Sequence, residues 1–543
     1  MPEVFSCVES LVIKDGAVFG FGWIFHEQQE ITALRLRLSL TKEKFSSVEH
    51  VAATMGKSRE DVQEKFVGQA RALHSGFVLL GAFPVAAQID AIVLECSLAD
   101  GSLVEIPVDN SSVVQFSSSA AGEKNKLMLR QFGVFLKRGV RLIRAGKLSS
   151  LVEKAGRYLK GRPRTALRGP GDLVAIFQED ERRDLSIIVD HDLGGGANHY
   201  RNRLVDAIIE EGRSAIVMTY HVPTLSHMLI LWNKRVHLRY AIPDRQFFLE
   251  AVKQLSVSEI VYNTAVSFIK PDEIPQLLIG LKALTGAHLK ILAHDYFLVC
   301  PSHFLLDYEG KYCHIPEASV CAKCLPKNQQ GFATLFVERD IRKWRAIWGS
   351  LFAAADEIVA FSNNTAQLLI KAYPQLDRAR VSITPHKVEH LTSGPVRVRN
   401  TDPLCIGVVG HIGFHKGAAF VQALAREIKD RDTNLKIVVI GSLEARSEPS
   451  VVSQTGAYQH DELAGMIERC GANVMLFPSI CPETFSYVVQ ELIDLKLPVA
   501  SFNFGAPAER LACYPNGLVL ASMDPARVLD ELISFHRKIY LSP

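Results

Sequence analysis

Two series of short, continuous apolar runs constrain this chain more than any other feature. The first comprises Ser186–Val189, Ala215–Met218, Glu259–Tyr262, Leu289–Ala293 and Glu357–Phe361. The second comprises Leu404–Val409, Leu435–Ile440, Val474–Phe477 and Pro498–Phe502. A strand with no polar alternation is covered on both faces, as in a parallel sheet flanked by helices. Helical segments fall between the runs, so each series is expected to form a doubly wound sheet with right-handed crossovers. The stretch Pro385–Pro403, rich in Pro, Thr and Ser, reads as a hinge, and two such domains in tandem imply a cleft between them.

At 543 residues the chain is too long for one core. Residues 1–115 read as a separate β-rich, sandwich-like accessory domain: alternating runs such as Ser10–Ile13, Val18–Ile24, Leu34–Leu40, Gly76–Leu80 and Ile89–Leu98 are punctuated by the hairpin turns Asp15-Gly16 and Asp100-Gly101. One helical patch, Arg59–Leu73, interrupts them. Residues 116–170 form a basic linker, followed by α/β domains at 171–390 and 391–543.

The formal net charge of +3 conceals an asymmetry: Lys124–Arg168 holds fourteen Lys or Arg against one acid, Glu153. Apolar residues at helical spacing (Leu127, Phe132, Phe135, Leu136, Val140) run among Lys137, Arg138, Arg141 and Arg144. That profile fits a helix on an anionic membrane surface, and equally a solvated linker whose charges repel. Few aromatics are placed for base stacking, and no nucleic acid partner is expected. The start MPEVFSCVES has neither a basic nor an apolar signal region, and no run of eighteen apolar residues occurs, so a cytoplasmic protein without a spanning helix is expected.

The chemistry gathers at the ends of strands. In Pro478–Glu491 two carboxylates, Glu483 and Glu491, follow the run Val474–Phe477; eight residues apart, they lie about 80° from each other around a helix axis and border one pocket. His191–Tyr200 contains Gly194, Gly195 and Gly196 before a helix from about Asn198 to Glu211, where backbone can approach a ligand closely. The spacing matches neither G-x-G-x-x-G nor a Walker loop. Gly410–Gly417 repeats the arrangement with Lys416 at a helix start, a position suited to a diphosphate.

In their order and spacing these pieces resemble the retaining GT-B glycosyltransferases, family four in particular. The matching residues are Gly194–Gly196, His294-Asp295, Ser362, Gly410 to Lys416-Gly417, Tyr458–Leu463, Pro478-Ser479 to Glu483-x7-Glu491, and Gly505-x-x-x-Glu509, spanning about 171–531. The resemblance implies two Rossmann-like domains with a nucleotide-sugar donor in their cleft. It places Glu491 on the ribose, Glu483 on the donor sugar and Lys416 on the diphosphate. Gly195, Gly196, His411, Tyr458, Thr484, Phe485 and Ser486 complete the donor site, and Asn198 and Asp295 the acceptor side. Catalytic work falls to His294, Glu483 and Lys416, with His294 positioning the reaction centre. Front-face attack, the mechanism attributed to this family, needs no carboxylate nucleophile. His411 stands where the family usually has Arg, so Arg426 or another base would have to substitute; Ser486 stands where Gly is common.

A departing nucleoside diphosphate develops charge that Lys416 and helix-end N–H groups can stabilise. No Asp-x-Asp is read as placed to hold a divalent ion against a diphosphate, so Mg²⁺ is not expected and catalysis needs no cofactor beyond the donor. Cys300, Cys313, Cys321 and Cys324 lie within 25 residues and could hold a structural zinc; free cysteines or a reversible disulfide are the alternatives.

The expected function is transfer of a hexose or deoxyhexose from a nucleotide sugar to a growing, lipid-linked or polymeric glycan, as in bacterial surface polysaccharide, lipopolysaccharide or O-antigen assembly, with peripheral attachment to the inner membrane face. A glycogen-synthase-like or phosphorylase relative is an enzyme alternative, disfavoured as a phosphorylase by the lack of a pyridoxal-bearing Lys motif. The alternative of another class is a catalytically impaired GT-B scaffold or polysaccharide-binding protein, for which His411 is the main hint.

Overall fold

The computed structural model describes residues 4–42, 45–57, 59–83, 88–108, 113–116, 169–178, 184–233, 237–328, 338–388, 394–396, 398, 401–445 and 448–541. Residues 117–168, which carry the basic segment, lie outside them, as does much of the expected hinge.

The N-terminal region is β1 (Val4–Lys14), β2 (Ala17–His26), β3 (Ile31–Lys42), β4 (Phe45–Lys57), β5 (Gly76–Ala82), β6 (Gln88–Leu98), β7 (Leu103–Pro107) and β8 (Val113–Phe116). They join in the order β7-β6-β3-β4-β5-β2-β1-β8. The sandwich-like expectation fits loosely, because this is one continuous curled sheet. Asp15 and Gly16 both have positive φ (49° and 75°), as the tight β1–β2 hairpin demands. Leu34, Leu36, Leu38 and Leu40 of β3 point into one core. Arg35 and Arg37, on the opposite face, pair with the buried Glu95. β4 was not legible as a strand: most of its side chains are small or polar, and pairing with β3 and β5 holds it. The helical patch shrinks to Glu60–Lys65 and a single turn at Ala70–Ala72, with Gly68 at φ 89° between them.

The second sheet contains β9 (Leu185–Val189), β10 (Ser214–His221), β11 (Ser226–Trp232), β12 (His237–Ile242), β13 (Val257–Tyr262), β14 (His288–Leu292), β15 (Glu357–Ala360) and β16 (Val381–Ile383), in the order β12-β11-β10-β9-β13-β14-β15-β16. Every apolar run of the first series lies on one of these strands. The sheet is parallel from β10 to β16, but β11 and β12 add an antiparallel extension that the expected doubly wound pattern lacks. Val12 and Ala17 of the first sheet belong to the same core as Leu185, Ile216 and Ile260, so the β-rich region is packed against this layer.

The third sheet is wholly parallel: β17 (Cys405–Ile412), β18 (Lys436–Leu443), β19 (Val452–Gln454), β20 (Val474–Phe477), β21 (Val499–Phe502) and β22 (Gly517–Leu520), in the order β19-β18-β17-β20-β21-β22. Helices cover both faces, with separate cores on each. Strand order reverses between β9 and β13 in one sheet and between β17 and β20 in the other. Loops leaving those strands diverge and open crevices, and the site is built there.

Candidate functional site

The loop after β9 is held by a buried carboxylate. Asp190 is fully buried; its Oδ2 accepts from Asn198 Nδ2 (2.7 Å) and lies 3.1 Å from Arg201 Nη1, while Oδ1 accepts from Asn263 Nδ2 (2.8 Å). Asn198 Oδ1 in turn accepts from the Gly194 N–H at 2.6 Å. Asn198, expected on the acceptor side, therefore braces the loop from behind. Gly194 and Gly195 adopt φ 85°, and the helix Gly196–Glu210 starts at once, leaving its first N–H groups facing the crevice.

Opposite, the loop after β20 carries Glu483, Thr484, Phe485 and Ser486 into the helix Tyr487–Asp494. Ser486 has φ 71°, a conformation that favours glycine, and its Oγ accepts from the Val489 N–H at 3.5 Å. Arg510 braces this loop: one guanidinium nitrogen donates to Ser486 O (3.1 Å), another to Gln490 Oε1 (3.0 Å), and the group lies 4.2 Å from the centre of the Phe485 ring. Phe485 is buried in a core built from Ile188, Val205, Val261 and Leu292 of the second sheet's unit. One unit thus plugs an aromatic ring into the other.

Between these loops lies a cavity of about 770 Å³. Its walls include Gly195, Gly196, His294, Lys416, Glu483, Thr484, Phe485, Ser486 and Glu491, so most of the expected site residues share one space. Glu491 is fully buried at its base. Thr484 Oγ1 donates across the cleft to His294 O at 2.9 Å. The His294 ring stacks on Phe361 at 4.4 Å, and its buried Nε2 has no hydrogen-bond partner among the described residues. Burial, with His386 and His191 adding to it, drives the His294 imidazole pKa far down, so the ring is neutral.

Besides Asn198, three expected site residues sit elsewhere or are otherwise engaged. His411 is exposed outside the cavity wall, with Nδ1 2.7 Å from Ser442 Oγ and Nε2 3.1 Å from Glu444 Oε1. Tyr458 packs against the core beneath the cleft, where burial and the neighbouring Glu491 raise its pKa. Asp295 does line the cavity, but its carboxylate accepts from Thr264 Oγ1 (2.6 Å) and the Phe297 N–H (2.8 Å), which caps the turn Tyr296–Leu298. Arg426 is exposed on the helix Ala418–Asp430; the arginine that reaches the cavity is Arg203, from the opposite unit.

Asp190-His191-Asp192 does have Asp-x-Asp spacing. Asp190 is committed as above and Asp192 pairs with Arg239, so neither carboxylate is presented to the cavity. Among the described residues no three His, Cys, Asp or Glu side chains converge as a metal site, so the zinc expectation gains no support there. All four cysteines are free thiols; Cys300 and Cys321 are buried, and burial raises the pKa of Cys300, Cys313 and Cys321, Cys313 to about 11. Their loop instead docks on the third sheet's unit: Phe304 stacks on His415 (4.1 Å, 8°), and Tyr312 meets Phe504 at 5.3 Å.

Sequence reasoning missed Arg203, His386, His415 and Tyr487, all on the cavity wall. Each lies inside a segment singled out in the sequence, but only the folded chain brings them together.

Residues 395–538 match the family model of Glycosyl transferases group 1. No curated protein matches the chain. Among solved structures it is similar to the lipopolysaccharide outer core galactosyltransferase WaaB (12% identity, 65% of this chain and 90% of that one, TM-score 0.38). It is similar also to Anabaena HepE in complex with UDP and glucose (12%, 65% and 89%, 0.42) and to WaaG, a glycosyltransferase involved in lipopolysaccharide biosynthesis (14%, 66% and 94%, 0.39). The family match thus falls on the unit built around the third sheet, which supplies Lys416, Glu483 and Glu491 to the cavity.

Proposed function

We propose that this protein is a retaining GT-B glycosyltransferase of the family-four type, with Rossmann-like units at 171–390 and 391–543, that moves a sugar from a nucleoside diphosphate to a glycan acceptor. The observation that carries this reading is the convergence of Lys416, Glu483, Glu491 and His294 on one cavity beside the helix starts at Gly196 and Tyr487. Glu491, buried at the base, suits ribose hydroxyls, and Glu483 suits the hydroxyls of the donor sugar. Lys416 and the helix-end N–H groups would stabilise the charge that develops on the departing diphosphate. The neutral His294 would place its Nε2, which has no hydrogen-bond partner among the described residues, against the donor sugar.

A lipid-linked acceptor, a role in surface polysaccharide or O-antigen assembly, and peripheral attachment through 116–170 rest on the sequence pattern and resemblance. Comparing membrane fractionation of the full chain with a 120–170 deletion, in low and high salt, tests the attachment. No helix among the described residues is long and apolar enough to cross a membrane.

Thermal shift with UDP, GDP and TDP and their sugars tests the donor site. At least one should raise the melting temperature of the wild type, and Glu491→Ala should abolish the rise. A wild type stabilised by none of them favours the scaffold reading.

A further inference from the structure

His386, in the segment joining the two units, ends a hydrogen-bond chain that runs through Tyr487 to Arg203. The residue is buried and lines the cavity. Its ring centre lies 4.0 Å from Phe361, 4.6 Å from Phe485, 5.0 Å from Tyr200 and 5.2 Å from His294. Nδ1 is 2.8 Å from the Tyr487 hydroxyl, which also accepts from Arg203 Nη2 at 3.0 Å.

A guanidinium only donates, so Arg203 occupies a lone pair of that hydroxyl. The hydroxyl can then turn its single hydrogen to Nδ1, provided that nitrogen is bare. Burial, reinforced by Arg203 and Arg510, pushes the His386 pKa down to about 3, so the ring is neutral, and in the tautomer that accepts the Tyr487 hydrogen its one hydrogen sits on Nε2. Arg203, Tyr487 and His386 come from the helix behind the glycine loop, the helix behind the acidic loop and the joining segment. All three line the cavity, and they meet at the Tyr487 hydroxyl. Gly196 accommodates this: a Cβ there would stand 2.9 Å from the Tyr487 ring.

We propose that His386 is a further sugar-contacting residue, its Nε2–H donating to a hydroxyl or ring oxygen of the sugar carried by the nucleotide. Tyr487 and Arg203 act through it as positioning residues. The surroundings fit an uncharged pyranose: Phe485 lines the cavity beside His386, and His294 is neutral. This inference rests on the nucleotide-sugar reading above.

The test compares binding of UDP, GDP and TDP with UDP-glucose, GDP-mannose and TDP-glucose, by calorimetry on wild type, His386→Phe, His386→Gln and Tyr487→Phe. For the pair that binds the wild type, the sugar nucleotide should bind more tightly than its free diphosphate. His386→Phe should shrink that ratio by about tenfold, the worth of one hydrogen bond, with free-diphosphate affinity changed by no more than about twofold. His386→Gln, which keeps a donor, should restore most of the ratio, and Tyr487→Phe should lower it several-fold. An unchanged ratio in His386→Phe, or equal loss of diphosphate and sugar-nucleotide binding, overturns the inference. If no compound binds the wild type, the nucleotide-sugar reading fails and this falls with it. If Glu491→Ala abolishes binding while His386→Phe alters nothing, this inference alone falls.

Discussion

The carboxylate of Glu509, on the helix Gly505–Ala512, accepts from the backbone N–H of Asn364 at 2.7 Å and of Asn363 at 3.2 Å, at the start of the helix Asn363–Ala372 in the opposite unit. A side chain of one half thus satisfies helix-end donors of the other, and its negative charge faces the positive end of that helix. Glu509→Ala should therefore loosen the two halves at a cost of about 1 kcal/mol, and Glu509→Gln about half as much, since the amide oxygen still accepts without the charge. Urea unfolding of the two variants measures this. Equal destabilisation by Gln and Ala would remove the charge from the explanation.

Phe485 joins the halves through apolar contact. Truncation to Ala should cost about 3–5 kcal/mol, because it removes a ring from the second unit's core and also strands Arg510, whose guanidinium lies 4.2 Å from it. Small-angle scattering should record a larger radius of gyration together with a lower melting temperature. A stability loss below about 1 kcal/mol would mean that the ring is not packed as described.

Two glycines face different obstacles. At Gly417 a Cβ would stand 2.0 Å from Pro478 O, a backbone atom, and φ is +84°, so Gly417→Ala should distort the loop carrying Lys416 and abolish nucleotide-dependent stabilisation. At Gly196 the obstacle is the Tyr487 ring, a side chain that can be cut back. Gly196→Ala should destabilise the protein, and combining it with Tyr487→Ala should cost less than the two single changes added together. Strict additivity in that cycle would contradict the contact.

Stability should fall as the pH drops below about 6.5. Burial is the main cause that holds His227, His303 and His386 at about 3 and His221 at about 4, against a reference of 6.5. Between those values the unfolded chain binds protons that the folded chain refuses, so unfolding becomes easier as pH falls, by up to about 1.4 kcal/mol per pH unit for each such histidine. Above the reference value the contribution is constant. Denaturant midpoints at pH 7.5, 6 and 5 should decrease in that order, and His227→Gln should flatten the decline. A midpoint independent of pH over this range would refute the buried neutral histidines.

Chelation should leave the protein unchanged. Because no three metal-ligating side chains converge among the described residues, treatment with EDTA or phenanthroline should not alter the melting temperature, and elemental analysis should find no stoichiometric zinc. A fall of several degrees on chelation would reinstate Cys300, Cys313, Cys321 and Cys324 as a ligand set.

The series of apolar runs by itself located β9, β10, β13, β14, β15, β17, β18, β20 and β21 but not the edge strands β16, β19 and β22, because a strand covered on both faces needs apolar residues in unbroken sequence, and that is a local property. Glu483, Glu491, Lys416 and Gly195 were legible for a related reason: strand-end loops and helix starts occur at fixed offsets from those runs. β4 and the β11–β12 extension were not legible, since partners distant in sequence hold them. The tertiary structure alone decided which polar residues face the cavity. Asn198 and His411 have side chains suited to a ligand, yet Asp190 and Gly194 claim the first, and Ser442 and Glu444 the second. Conversely Arg203, His386 and Tyr487, spread over 284 residues, meet at one hydroxyl. Hydrogen-bond partners are chosen by distance in space, and no spacing along the chain encodes that choice.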